Sequence, residues 1–209
     1  VKALLVAKTK FTDLFATETP NVDGTCPTAG YHAVQKGQKG ECLLLKTGKE
    51  LAASRLETRR YAAYVGATTE MNKEEGFTFD PEGMKAYIAI TDISNGMIDK
   101  GPFDFAGPNH VKLPGNICGA VYSLDIGKDA TMGSDFVVKS WKSLLVGVPS
   151  ATPGTCSIDA IANPDNLSFV RHSTTLIIGE DCGKLQHQND SVWSFDLQSK
   201  QVTRILTTP

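Results

Sequence analysis

The chain has 209 residues, 41% of them apolar and 21% charged, enough to pack one large domain or two small ones. A net charge of -2 speaks against the basic face of a nucleic-acid binder. No apolar run approaches the roughly 20 residues of a membrane-spanning helix.

The chain opens on Val1, and "VKALLVAKTK" lacks the apolar core and cleavage site of a signal peptide. A mature, processed or partial chain is therefore expected. Residues 1–48 read as a loop-rich segment: a strand "KALLVA" (2–7), a Pro-, Gly- and Thr-rich excursion, then a strand "ECLLLK" (41–46). Residues 49–64 predict a helix with Leu51, Ala52, Leu56 and Ala63 on one apolar stripe and Glu57 facing Arg60 or Tyr61. Gly66 stops it. Strands are predicted at 76–80 and 85–92, joined as a hairpin by a turn at Asp80, Pro81 and Gly83. A Gly- and Pro-rich loop (94–116) leads to strands at 119–126 and, bent, at 135–145.

The second half repeats this order. "PDNLSF" (164–169) aligns on "EEGFTF" (74–79), "TTLIIGED" (174–181) on "KAYIAITD" (85–92), and "DSVWSFDL" (190–197) on "GAVYSLDI" (119–126). Glu75 and Asp165 are 90 positions apart, Asp92 and Asp181 are 89, and Asp125 and Asp196 are 71. A repeated unit of strands and loops of this kind predicts a mainly β fold. The architecture expected is a six-bladed β-propeller, or part of one, with a helical insertion near 49–64. Residues 1–209 would form a single propeller domain or its C-terminal part. A β-sandwich of similar hairpins is the competing architecture.

The five cysteines are Cys26, Cys42, Cys118, Cys156 and Cys182, with no CxxC among them. A zinc ribbon is therefore not expected. Cys26 with Cys42, and Cys118 with Cys156, are candidate pairs, and five unpaired thiols are an equal alternative.

Two clusters carry potential ligands. One holds Lys73, Glu74 and Glu75; the other holds Asp165, Asn166, Glu180, Asp181, His187, Asn189 and Asp190. Most of these donors are oxygens, which select hard cations such as calcium, magnesium or ferric iron. His187 reads as a loop histidine or a partner of a ligand. Cys182 reads as an inert thiol whose pKa rises beside carboxylates. No G-x-S-x-G or P-loop text is present, so a metal-activated hydroxide is the expected nucleophile. Alternation in an extended segment puts Lys73 on the same side as Glu75, where a cation would suit an anionic substrate.

The stretches "NKEEGFTFDPEGMKAYIAITD", "AGPNHVKLPGNICGAVYSLDI" and "NPDNLSF…LIIGEDCGKLQHQNDSVWSFDL" together resemble the PhoX-type alkaline phosphatases over residues 42–206. The resemblance implies an exported phosphomonoesterase, secreted or periplasmic, with a mixed calcium and iron cluster in a propeller channel. It implies Glu75, Asp165, Glu180 and Asp181 as metal-site residues, and Lys73 as the phosphate contact in place of the family's arginine. The substrate would be a phosphate ester. The family's iron-ligating cysteine has no counterpart here, and 209 residues are few for six decorated blades. A longer chain or another chain is therefore expected to complete the propeller. A calcium-dependent propeller lactonase and a non-catalytic calcium-binding propeller are the alternatives.

Overall fold

Strands dominate the secondary structure, and they pair antiparallel in three sheets. The computed structural model describes residue 3, residues 8–183 and residues 186–208. The strand expected at 2–7 lies outside these residues, Ala3 apart. The chain divides into two units: residues 1–71 with 95–114, and residues 72–94 with 115–209. Among the described residues no helix is long and apolar enough to cross a membrane.

In the first unit a short helix α1 (Phe11–Leu14) leads into β1 (Phe15–Glu18), followed by β2 (His32–Lys36) and β3 (Lys39–Leu45). The sheet order is β1-β3-β2. Thus the segment expected to be loop-rich contains two further strands. A two-residue turn joins β2 to β3, pairing Lys36 with Lys39, and Gly37 supplies the positive φ of 54° that such a turn needs. The Cys26–Cys42 disulfide ties the excursion to β3. Apolar side chains of the sheet (Phe15, Val34, Leu43) pack with Leu14, Ala53 and Ala63 in one core.

The helix expected over 49–64 is two helices, α2 (Glu50–Leu56) and α3 (Thr58–Tyr64). The break falls at Glu57, whose φ of -127° and ψ of 47° are not helical. Ser54 and Thr58 hydroxyls donate to the carbonyls of Leu51 and Ser54, competing with the backbone ladder beside the break. Of the predicted stripe, Ala63 is in the core and Ala52 and Leu56 pack against it, and Leu51 is the exception. Leu51 is 71% exposed, while Ala53, not expected inside, is fully buried. The Glu57–Arg60 pairing is present at 2.6 Å, and Arg60 also meets Glu41.

The second unit contains two four-stranded meanders. The first is β4 (Glu74–Asp80), β5 (Lys85–Ile90), β6 (Ala120–Asp129) and β7 (Ser134–Val146), in the order β4-β5-β6-β7. The second is β8 (Pro164–Phe169), β9 (Thr175–Glu180), β10 (Ser191–Asp196) and β11 (Val202–Thr207), with neighbours β11-β10-β9-β8. In the second sheet β9 and β10 alternate in burial with period 2, whereas β5 of the first buries Ala86–Tyr87 and Ala89–Ile90 as adjacent pairs. Tyr87 and Val121 of the first sheet pack with Leu176, Ile178, Trp193 and Phe195 of the second, together with Ile161. Burying each of the large side chains stabilises by about 1.5–3 kcal/mol. The turn at Asp80 forms as expected, its carboxylate accepting from the N–H groups of Glu82 and Gly83 at 3.0 Å. The predicted bend in β7 takes the form of three register shifts against β6.

The repeat holds in the topology, with one correction to its register. Glu74 pairs with Ile90, and Pro164 pairs with Glu180. Lys85 pairs with Asp125, and Thr175 with Asp196. The position equivalent to Glu180 is therefore Ile90, and Asp181 matches Thr91, not Asp92. Matching acid to acid shifts this strand by one residue, which exchanges its two faces. Asp125 and Asp196 do correspond, as the sequence spacing predicts.

Candidate functional site

The two first strands of the meanders, β4 and β8, carry acids at matching bulges. The β4–β5 register shifts between Glu74 and Phe77, and the β8–β9 register between Pro164 and Asn166. Glu75 and Asp165 lie inside these shifts. A bulge leaves a residue out of the ladder and re-aims its side chain, a device common beside active sites. Just upstream, Lys73 and Asn163 both adopt left-handed backbone, with φ of 55° and 42°. The Lys73 carbonyl accepts from Thr91 N–H at 3.0 Å and the Asn163 carbonyl from Asp181 N–H at 3.1 Å. The same backbone lock therefore precedes both acids, and the left-handed turn at Lys73 is a property of the repeat.

β4 and β8 touch through Gly76. A Cβ there would lie 2.1 Å from the Asp165 carbonyl oxygen and 2.7 Å from the Leu167 nitrogen. Only glycine lets the two backbones come this close. Farther along, Phe169 N–H donates to Thr78 Oγ1 at 3.1 Å.

Lys73, Glu75 and Asp181 are exposed, and Asp165 is half-buried. The Asp165 carboxylate accepts from Asn166 Nδ2 at 2.7 Å. Glu180 differs in kind, since its side chain is fully buried. Oε1 accepts from Ala162 N–H at 2.8 Å and from the Trp193 indole N–H at 2.7 Å. Oε2 accepts from Ser191 N–H at 3.0 Å and lies 3.0 Å from His187 Nδ1. A buried carboxylate is tolerated because hydrogen bonds replace the water it loses. His187, only 7% exposed, sets its other nitrogen, Nε2, 3.0 Å from the Ser157 carbonyl oxygen.

Cys182 is the fifth cysteine and carries a free thiol, since Cys118 and Cys156 form the second disulfide. Its Sγ donates to the Ala162 carbonyl at 3.5 Å and lies 3.8 Å from Glu180 Oε2. Burial, aided by the charge of Glu180, pushes the thiol up to about 12. The rise expected from the neighbouring carboxylates is therefore present, although desolvation is its larger cause. Cys182 also packs against the Cys118–Cys156 disulfide and Ala162.

Among the described residues, two groups of three or more His, Cys, Asp or Glu bring their ligand atoms within 4.8 Å: Glu18–Cys26–Cys42 and Glu180–Cys182–His187. The first has both sulfurs in a disulfide and offers no thiolate. Neither group contains Glu75, Asp165 or Asp181. The structure thus sets Glu75 and Asp165 on neighbouring strands, leaves Asp181 outside at the end of β9, and turns Glu180 inward to a different set of partners. Trp193 and Ser191 went unnoticed in the sequence. A signal existed for Trp193, because a buried indole N–H needs an acceptor. Trp193 pairs with Ile178, two residues from Glu180 on the same face of β9.

Compared with protein-family models, with curated proteins and with solved structures, the chain matches none of them.

Proposed function

We propose that this chain supplies blades of a β-propeller metal-dependent phosphomonoesterase of PhoX type, with Glu75 and Asp165 as metal ligands. The observation that carries the reading is the repetition of an acid at the same bulge of two adjacent first strands. Strands nearest a propeller axis run in one direction, so acids at equivalent bulges converge on one mouth of the channel. Further blades, from a longer chain or a partner chain, complete the ring.

The donor chemistry fits hard cations at the bulges. Carboxylate oxygens of Glu75, Asp165 and the exposed Asp181 suit calcium or ferric iron. Glu180 does not belong to this set, because its side chain is fully buried and gathered with Cys182 and His187 instead. Bound there, calcium and iron would supply an activated oxygen nucleophile and charge neutralisation for the phosphoryl group. Lys73 binds a phosphoryl oxygen of the ester as a point charge. Two disulfides support an exported, oxidising location.

The test is phosphate release from a simple aryl phosphate by native material with its full complement of chains, supplied with calcium and iron. Turnover that falls at least tenfold in Glu75→Gln and Asp165→Asn supports the assignment. Calcium uptake without turnover replaces it with a non-catalytic binding propeller. Hydrolysis of a lactone instead of the phosphate ester replaces it with a lactonase.

A further inference from the structure

The group formed by Glu180, Cys182 and His187 is separate from the bulge acids and has the wrong donors for a calcium site. We propose that it binds one divalent cation of the zinc class, seated among Glu180 Oε2, Cys182 Sγ and His187 Nδ1, and that this ion clamps the loop after β9 to the end of the strand.

Four observations lead there. The first is the pair of acceptors facing His187. Nδ1 lies 3.0 Å from the Glu180 carboxylate and Nε2 lies 3.0 Å from the Ser157 carbonyl. A neutral imidazole has one N–H and satisfies one of them. A proton or a metal ion between Nδ1 and Oε2 reconciles the other. With the metal, Nε2–H donates to the backbone carbonyl, the outer hydrogen bond that orients most metal-binding histidines.

The second is spacing. Tetrahedral zinc, with bonds of about 2.0–2.3 Å, separates a nitrogen from an oxygen ligand by about 3.3 Å and a sulfur from an oxygen by about 3.6 Å. The corresponding separations here are 3.0 Å and 3.8 Å. Both separations lie within a few tenths of an ångström of the tetrahedral values, and all three ligand atoms lie within 4.8 Å of one another.

The third is charge. A thiolate and a carboxylate neutralise a divalent ion, which suits a buried place where unpaired charge is costly. Oε1 keeps its donors from Ala162 and Trp193, and Oε2 keeps Ser191, so binding releases only the Cys182 proton, with the single N–H of the neutral His187 ring on Nε2 and the Nδ1 lone pair on the ion.

The fourth is access. Cys182 is partly exposed, and His187 lines an open cleft of about 800 Å³ together with Pro149, Cys156, Ser157 and Gln186.

Cobalt(II) is the probe, added to the metal-free, disulfide-intact protein. One equivalent is expected to bind and to give a near-ultraviolet thiolate-to-cobalt band. Cys182 is the free thiol, so the band reports it alone. Cys182→Ser should lose the band, and His187→Gln should weaken binding at least about tenfold. Zinc in excess should raise the melting temperature of the unaltered protein by about 5 °C or more and leave Cys182→Ser unmoved. A cobalt complex of the unaltered protein without the thiolate band overturns the proposal. So does equal uptake by both variants. The unaltered protein's spectrum decides even if a variant fails to fold, and it is independent of phosphate release.

Discussion

Glu180 stands in the β8–β11 sheet where Ile90 stands in the β4–β7 sheet, at the paired end of the second strand. Both are buried. The repeat thus replaces an apolar core residue with a carboxylate and surrounds it with donors from Ala162, Ser191 and Trp193. Glu180→Ala should destabilise the second unit by about 3–5 kcal/mol, because it orphans several buried donors at once. Glu180→Ile restores the residue of the first sheet yet should still cost about 2 kcal/mol or more, since the donors remain. Adding Trp193→Phe to it should recover part of the loss. Urea unfolding checks all three. Wild-type stability in Glu180→Ile would show that the donors do not depend on the carboxylate.

Gly76 is where the first strands meet. Any Cβ at this position strikes the backbone of Asp165 and Leu167. Backbone cannot swing aside as a flexible side chain does, so Gly76→Ala should cost about 1–3 kcal/mol. Gly179→Ala is the control, because its Cβ would find Asn166 Cβ at 3.4 Å, an ordinary contact. It also matches Ala89 of the first sheet, and strand glycines carry an entropic cost, so it should be neutral or mildly stabilising. Equal melting temperatures for the two variants would mean that the sheets do not approach as closely as described.

The meanders were legible because both halves carry short runs rich in β-branched and aromatic residues and place turns at matching points. "TLIIGE" alternates strictly in burial, whereas "KAYIAI" buries adjacent residues at Ala86–Tyr87 and Ala89–Ile90. Two things were not legible. The register error arose because Asp92 and Asp181 look alike, whereas hydrogen bonding pairs Glu180 with Pro164 as Ile90 pairs with Glu74. Composition cannot settle a one-residue slip. β1 and β2 were hidden because "FATE" and "HAVQK" are short and half polar, and their pairing with β3 across the sequence makes them strands. The candidate site divides similarly. The acids were visible as residues, but burial alone separates Glu180 from Glu75, and burial is a tertiary property.

Asp125 of β6 and Asp196 of β10 hold equivalent positions, paired with Lys85 and Thr175, and both carboxyls are held well below the usual carboxylate range. Thr174 and then Ser199 hydrogen bonds hold Asp196 at about 2. Lys85, with Ser140 and Lys142, lowers Asp125 further. The unfolded chain binds protons at these groups near pH 4, before the folded chain does. Folding stability should therefore be intact above about pH 4 and should fall as pH drops toward 2, because protons favour the unfolded state in that window. Asp196→Asn should flatten the pH 4-to-2 slope of the unfolding free energy. An unchanged slope would exclude Asp196 as a source of the acid lability.

The Cys118–Cys156 disulfide closes a sequence separation of 38 residues, and Cys26–Cys42 closes 16. In the chain-entropy account these constrain the unfolded state by about 4 and about 3 kcal/mol. Replacing both Cys118 and Cys156 by Ala should thus destabilise more than replacing Cys26 and Cys42. It should act on the second unit, where Cys118 and Cys156 belong to the buried cluster beside Cys182. Guanidinium titrations of the two double variants give the order, and the reverse order would mean that native packing outweighs loop length.

Cys182 supplies the last test, on metal-free protein. A thiol at about 12 is almost wholly protonated at pH 8, whereas an ordinary cysteine near 8.5 is a substantial fraction thiolate. The thiolate is the nucleophile, and its greater intrinsic reactivity at high pKa offsets part of its scarcity, so iodoacetamide should label Cys182 about 100-fold more slowly in the folded chain than in denaturant. Burial is the larger cause and Glu180 the next, so Glu180→Gln should speed labelling modestly without bringing it to the denatured rate. Mass spectrometry of the labelled peptide follows both rates. Labelling as fast as in denaturant would mean that the thiol is not enclosed by Ala162 and Glu180, and the geometry of the Glu180–Cys182–His187 group would fall with it.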